Sequence, residues 1–239
     1  LAGAPKHTLT ELTNVIEGIG VKSEMVAARK ARHGKAQERR LETLGNKANA
    51  GASETPINKA YFSKELSKYL DDDTILVSEL GVDMSQAIFT KPGTAYGIPP
   101  SGGLGWGLGA ALGAKLAAPE KTVICATGDG SYIFGSGTAS HIVSEAQNLP
   151  VLFIVWNNGI WNAVKNATKS MHPEGHAAET DTWAMTNLSQ GFNYEMVCQA
   201  SGGYGERVDD PAEVPGAIQR ALHAVQVEKR QALLNIIGA

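Results

Sequence analysis

Residues 122–131, with the sequence TVICATGDGS, decide the fold of this chain. The run opens with five apolar or β-branched residues without polar alternation, and Gly128-Asp129-Gly130 closes it. The same pattern returns at 151–158, where the apolar run VLFIVW ends in Asn157-Asn158. Short continuous apolar runs of this kind are typical of strands that are buried on both faces of a parallel sheet.

The spacing of the two runs predicts a βαβ unit. Residues 131–156 leave room for a turn, one crossover helix and the second strand. Open α/β sheets bind ligands at the carboxyl ends of their strands, so Asp129 and Asn158 are expected side by side at a ligand-binding edge. Oxygen ligands next to Gly-rich backbone suit a Mg²⁺ ion that holds a diphosphate. The alternative is that both residues cap helices, since Asp and Asn are good N-caps.

The composition of the chain limits the functional classes to which it can belong. The chain has 239 residues, an apolar content of 43% and a net charge of −3, which gives no global reason to expect nucleic acid. Cys125 lies inside a predicted core strand, far from Cys198, which favours a reduced, cytoplasmic protein over a disulfide framework. No apolar run approaches the length of a membrane span, and no signal-peptide pattern opens the chain. Because Leu1 is not Met, we expect a piece of a longer protein.

The first 55 residues predict helices outside the main domain. Residues 1–20 carry apolar residues at helical spacing and are expected to end a preceding central domain. Residues 21–55 form a basic helical linker, which becomes irregular from Gly45 onwards. Its charge could serve nucleic acid or an anionic membrane, but few aromatic residues are present to stack bases, so a solvated connecting helix is favoured.

Residues 56–239 alternate between predicted helices and strands. We expect a three-layer α/β sandwich with a mostly parallel sheet of about six strands, a usual sheet size. The predicted strands are 74–78, 95–96, 122–126, 151–156, 194–197 and 232–237. The predicted helices cover 57–70, 136–147, 183–188 and 211–227 and begin again at 159–165, with a loop at 166–182.

The glycine-rich segment 101–113 has two parts. It lacks a Gly-x-Gly-x-x-Gly register, which argues against a dinucleotide site. Gly105, Gly109 and Gly113 are four residues apart and would present a smooth helix face for close packing. Gly102 and Gly103 precede the helix and are the better candidates for contacting a ligand. Elsewhere, His172, Glu174 and His176 flank Pro and Gly, so the helical spacing of a zinc motif is not available.

Gly128-Asp129-Gly130, 26 intervening residues and Asn157-Asn158 resemble the thiamine diphosphate binding motif. Residues 56–239 resemble the C-terminal, thiamine diphosphate-binding domain of the 2-oxo-acid decarboxylase and acetolactate synthase family, closest to the benzoylformate decarboxylase branch. The resemblance implies a Mg²⁺ ion bound by Asp129, the Asn158 side chain and the backbone carbonyl of Ile160. The implied diphosphate contacts are Gly128, Gly130 and Ser131, with Asn158 and Ile160 beside them.

The resemblance also implies how the cofactor's two rings are held. Leu104, 25 residues before Asp129, matches the bulky apolar residue that bends the cofactor. The carbonyl of Gly102, next to Gly103, would accept a hydrogen bond from the cofactor's amino group. Gly81 and Val82 are carried over from the loop that approaches the diphosphate, but this loop departs from the family's pattern, because Asp83 would repel phosphate. The alternatives are that Leu104 is a core residue and that Trp161 packs at an interface.

Two departures concern catalysis. Val164 stands where pyruvate decarboxylases carry a catalytic Glu, which favours the benzoylformate decarboxylase or acetolactate synthase branches. Val164 and Trp161 would line the substrate pocket. The Glu that activates the cofactor would come from the pyrimidine-binding domain of a second subunit, so a homodimer or homotetramer is expected. No residue of this chain is assigned a catalytic role, and the chain alone should be inactive.

The expected enzyme cleaves or forms C–C bonds next to the carbonyl of a 2-oxo acid. The alternatives are 2-hydroxyacyl-CoA or oxalyl-CoA chemistry and a non-catalytic assembly module.

Overall fold

The computed structural model describes residues 3–99 and 101–239. The chain divides into two compact units, one ending at Thr43 and the other spanning Leu44–Ala239. The predicted domain boundaries at residues 20 and 55 stay predictions. None of the helices in the described ranges combines the length and the apolar content that crossing a bilayer requires.

Two helices occupy the N-terminal part, as the sequence predicts. Helix α1 (Pro5–Ile19) starts with Pro at its first position and ends where Gly20 takes a φ of 80°. Helix α2 (Ser23–Ala50) runs six residues further than the prediction of an irregular segment from Gly45 allows. That prediction is wrong at its start, because Gly45 sits inside the helix and the residues after it include helix-forming Lys and Ala.

The second unit is built on one six-stranded sheet, which confirms the predicted α/β class. The strand order is β2-β1-β3-β4-β6-β5, and all five pairings are parallel. The strands are β1 (Thr74–Glu79), β2 (Ala95–Tyr96), β3 (Thr122–Gly128), β4 (Val151–Asn157), β5 (Tyr204–Val208) and β6 (Ala232–Ile237).

Helices cover both faces of this sheet. Alternate strand residues such as Ile124 and Ile154 face α3 (Lys59–Ser67) and α10 (Val214–Gln226) in one core cluster. The intervening residues, such as Val123 and Phe153, belong to a second cluster on the opposite face. That cluster includes residues of α4 (Trp106–Ala117), α5 (Asp129–Phe134) and α9 (Tyr194–Ala200). The remaining helices are α6 (Gly137–Ala146), α7 (Asn162–Met171) and α8 (His176–Glu179).

Three predictions between the site and the last strand are wrong. Residues 194–197 belong to α9 instead of a strand, because Tyr194 and Cys198, four residues apart, both bury against the sheet. The edge strand is β5, which the sequence analysis missed. Residues 183–188 form turns instead of a helix. The predicted loop at 166–182 contains the end of α7 and all of α8.

The predicted glycine face of α4 also needs correction. Gly105 lies at the N-cap with a φ of 86°, and a Cβ built there would be 2.5 Å from the Cα and N of Gly135. A Cβ on Gly109 or Gly113 would meet nothing within 4 Å. Close approach therefore explains Gly105 alone, at a turn that only glycine adopts easily.

These environments predict opposite effects of the same substitution. Gly105→Ala should lower the free energy of unfolding by about 1–3 kcal/mol, because of its positive φ and the clash with Gly135. Gly109→Ala should raise it by up to about 1 kcal/mol, because Ala is the better helix former. Urea-induced unfolding measures both. Equal shifts in the two variants would contradict the strained contact at Gly105.

Candidate functional site

Strand register brings the two parts of the predicted motif together. Thr127 pairs with Val155 and Gly128 with Trp156, so β3 and β4 end at the same edge of the sheet. Helix α5 begins at Asp129, directly after β3. The turn after β4 carries Asn158. The segments that follow β3 and β4 therefore leave the sheet side by side, as parallel pairing requires.

Asp129 holds this edge together. Its carboxylate accepts a hydrogen bond from Gly130 N at 2.8 Å and another from Gly159 N at 2.7 Å. The residue is only 3% exposed. Burial raises the pKa of Asp129, and these backbone N–H groups oppose the rise. A cation at this carboxylate would offset the unfavourable burial of its charge.

The turn after β4, which is hydrogen-bonded to Asp129 through Gly159 N, carries Asn158 and Ile160. Asn158 Oδ1 accepts a hydrogen bond from Ile160 N at 3.2 Å, which closes an Asx turn. Gly159 has a φ of 69°, and a Cβ there would be 2.7 Å from the Gln190 side chain. By contrast, Asn157 is fully buried and donates to Asn235 Oδ1 at 3.1 Å. The second Asn of the pair is thus the one that faces a cavity.

A cavity of about 260 Å³ lies at this edge and collects most of the predicted residues. They come from the loop before α4, from β3 and α5, from the turn after β4 and from the start of α7. The predicted residues that line it are Leu104, Gly128, Asp129, Gly130, Ser131, Asn158, Ile160, Trp161 and Val164. A Cβ on Gly130 would be 2.5 Å from the Trp161 ring, so the indole covers this glycine. Whether these residues hold metal, cofactor or substrate stays a prediction.

Four predicted contacts lie outside the cavity wall. Gly81 packs on the backbone of β3, where a Cβ would be 2.3 Å from Thr127 N. Val82 packs against one of the core clusters. Gly102 and Gly103 are exposed in the loop before α4, where Gly102 has a φ of 64° and its N–H donates to Pro99 O.

Glu79, the last residue of β1, is a site residue that was not predicted from the sequence. Its carboxylate accepts from Gly105 N at 2.6 Å and from Gly107 N at 2.7 Å, and the residue is fully buried. A strand end thereby caps a helix distant in sequence and satisfies N–H groups that lack partners within the helix. Because Leu104 directly precedes Gly105, this cap also holds the predicted cofactor platform. The only signal in the sequence is an acid closing an apolar strand.

Lys59, at the start of α3, was missed as well. Its side chain lines the cavity, and Nζ donates to Leu80 O at 2.9 Å. Nothing in its local sequence marks it, since it stands on a helix that begins 70 residues before Asp129.

The donor set fits a magnesium-bound diphosphate. Asp129, Asn158 and Ile160 all line one cavity and would supply a carboxylate, an amide oxygen and a backbone carbonyl, and Mg²⁺ prefers oxygen ligands. Gly128 stands beside open space, since a Cβ there would meet nothing within 4 Å. Among residues 3–99 and 101–239, no cluster of three or more His, Cys, Asp or Glu side chains offers a different metal site.

Comparison with known proteins identifies the family. The family described as "Thiamine pyrophosphate enzyme, C-terminal TPP binding domain" matches residues 78–236, which is more than half of the chain. The chain therefore belongs to the thiamine diphosphate-dependent 2-oxo-acid decarboxylase and acetolactate synthase family. The predicted binding of thiamine diphosphate agrees with this assignment.

Relatives within the family carry several activities in their names. A probable acetolactate synthase of Mycobacterium bovis is 33% identical over 170 residues, covering 70% of this chain and 29% of that protein. Pyruvate decarboxylase isozyme 3 of Saccharomyces cerevisiae is 34% identical over 156 residues, covering 61% of this chain and 26% of the relative. The chain thus spans less than a third of the length of these relatives.

Solved structures support the same fold. The thiamine diphosphate-dependent 4-hydroxybenzoylformate decarboxylase of Rhodococcus jostii RHA1 superposes with a TM-score of 0.64 at 27% identity. The match covers 79% of this chain and 33% of the other. Benzoylformate decarboxylase from Polynucleobacter necessarius gives a TM-score of 0.61 at 19% identity, over 77% of this chain and 33% of that one, which is evidence for the fold alone.

The Glu79 cap leads to a stability prediction. Glu79→Gln should lower the free energy of unfolding by about 1–3 kcal/mol, because an amide replaces one of two charged acceptors and turns an N–H group towards a buried donor. Urea-induced unfolding measures the loss. Glu120→Gln, at an exposed position, is the control and should change little. A Glu79→Gln variant as stable as the control would refute the cap.

Proposed function

We propose that this chain is the diphosphate-binding part of a thiamine diphosphate- and Mg²⁺-dependent enzyme that cleaves or forms C–C bonds next to the carbonyl of 2-oxo acids. The observation that supports this most directly is the buried Asp129 carboxylate, tied by a hydrogen bond to the turn that carries Asn158 and Ile160. These three residues would hold Mg²⁺. Membership of the family supports thiamine diphosphate as the cofactor.

The cofactor, when bound, supplies the carbanion chemistry, and the protein supplies position and electrostatics. At the start of α5, Ser131 would meet the diphosphate with its hydroxyl, beside Gly130, whose N–H donates to Asp129. Leu104 would support the bent rings and bring their reacting atoms together. Trp161 and Val164 would shape the substrate side of the cavity. Val164 carries no acid, so a proton donor for the product would have to come from another position.

We further propose that the active site is shared between subunits of a homodimer or homotetramer. A pyrimidine-binding domain of a second subunit would supply the Glu that activates the cofactor. The chain spans 29% of the acetolactate synthase that it matches, so the relative is long enough to contain the domain that this proposal requires. The isolated chain should then turn over nothing. Detectable 2-oxo-acid decarboxylation by the isolated chain would refute this part of the proposal.

The metal assignment is testable by binding. In the assembled protein, meaning this chain with whatever domains accompany it, Asp129→Asn should weaken Mg²⁺–thiamine diphosphate binding by at least about 100-fold. The reason is that a buried anionic ligand of the metal is lost. Isothermal calorimetry with and without EDTA measures this. Asp209→Asn, an exposed carboxylate, is the matched control. Equal affinity of Asp129→Asn and wild type would show that Asp129 is not a metal ligand.

The substrate class is testable by product analysis. We expect turnover of benzoylformate to an aldehyde or of pyruvate to acetolactate, because an acetolactate synthase and a 4-hydroxybenzoylformate decarboxylase are among the proteins similar to this chain. A second candidate is C–C cleavage of 2-hydroxyacyl-CoA, because a 2-hydroxyacyl-CoA lyase of Dictyostelium discoideum is 28% identical over 156 residues. Parallel assays with all three substrates separate these activities. Cofactor binding without turnover of any of them would favour a non-catalytic assembly module.

A further inference from the structure

Lys59 places a cation in the wall of the cavity that contains Asp129. It is the first residue of α3, directly after the N-cap Asn58, whose side chain accepts from Ala60 N and Tyr61 N. The Asn58 side chain therefore caps the helix start, and the Lys59 side chain takes no part in that cap. Its side chain is only partly exposed.

The contacts of Lys59 leave its charge without a close anion. Nζ donates to the neutral carbonyl of Leu80 at 2.9 Å and stands 4.8 Å from the centroid of the Trp156 ring. Within the described ranges, no carboxylate lies within 4.0 Å of Nζ. Burial lowers the pKa of Lys59 to about 8, while the charges of Asp129 and Asp83 oppose the shift. A partly desolvated cation of this kind gains from an anion that enters the cavity.

The proposed diphosphate would meet this need. The diphosphate and Asp129 together carry more negative charge than one Mg²⁺ ion neutralises. The loop at Leu80, Gly81 and Val82 has no side-chain donor to offer a phosphate. Lys59 Nζ is hydrogen-bonded to the first residue of that loop, so a donor is present where the loop sequence supplies none.

We propose that Lys59 Nζ donates a charge-assisted hydrogen bond to the diphosphate of the bound cofactor and complements Mg²⁺ in neutralising it. This inference rests on the proposed function of the cavity. A purely structural alternative is that Lys59 only fastens α3 to the carbonyl of Leu80. That role would affect unfolding but would not discriminate ligands with phosphates from ligands without them.

Binding measurements distinguish these roles. Lys59→Met keeps the length of the side chain and removes its charge, and Lys59→Arg keeps the charge. In the assembled protein, Lys59→Met should weaken Mg²⁺–thiamine diphosphate and Mg²⁺–pyrophosphate by roughly 10- to 100-fold and leave thiamine affinity unchanged. Lys59→Arg should retain most of the affinity. Lys64→Met is the control, because Lys64 lies on the same helix but donates to Asn49 Oδ1, away from the cavity.

A second measurement uses the wild-type protein and needs no variant to fold. Limited acetylation followed by mass spectrometry should modify Lys59, and Mg²⁺–pyrophosphate should protect it while thiamine does not. Lys64 should be modified equally in all conditions.

The outcomes separate this inference from the proposed function. If wild type binds Mg²⁺–thiamine diphosphate and Lys59→Met binds it equally well, the contact is refuted and the function stands. Acetylation of Lys59 that pyrophosphate does not slow would refute the contact in the same way. If wild type binds neither thiamine diphosphate nor pyrophosphate, both proposals fail.

Discussion

The hydrogen bond from Gly159 N to Asp129 Oδ2 joins the two halves of the site, and the rest of the edge depends on it. It connects the start of α5 to the turn after β4, two segments that are 30 residues apart in sequence. Without this link, parallel pairing would align the strands but leave the turns free to choose their own conformations. With it, one buried carboxylate fixes Asn158, Gly159 and Ile160 relative to β3. A single acid thus positions the elements that we propose to bind metal, and its charge makes a cation favourable there.

A second acid performs the same task on the neighbouring strand. Glu79 ends β1 and caps α4, so the loop before α4 is tied to the sheet by two hydrogen bonds. Two neighbouring strands share this pattern: an acid at the strand end or directly after it accepts hydrogen bonds from N–H groups of a helix start or a tight turn. Backbone amides are well suited to this because they cannot change rotamer, which makes the cavity walls rigid before any ligand arrives.

The fold and the core of the site were predictable because their signals are local and periodic. Apolar runs marked β3 and β4, and the polar residues that end them marked the edge. The errors lie where local pattern and tertiary environment disagree. Residues 194–197 are apolar enough for a strand, but they form part of α9, because one face of that helix is buried. The edge strand β5 contains the charged residues Glu206 and Arg207, so its sequence does not have the apolar pattern of a strand. Glu79 and Lys59 were not predicted because only tertiary contacts give them a role. A single sequence does not show such contacts.

The indole rings at the site have a consequence for how it can be observed. Trp156 is the second-last residue of β4 and Trp161 covers Gly130, so two of the four tryptophans of the chain border the same cavity. One of them lies beneath a lysine ammonium group, which perturbs the emission of an indole, and the other shields the glycine next to Asp129. The site therefore contains intrinsic fluorophores, and occupancy can be followed optically in the unlabelled protein.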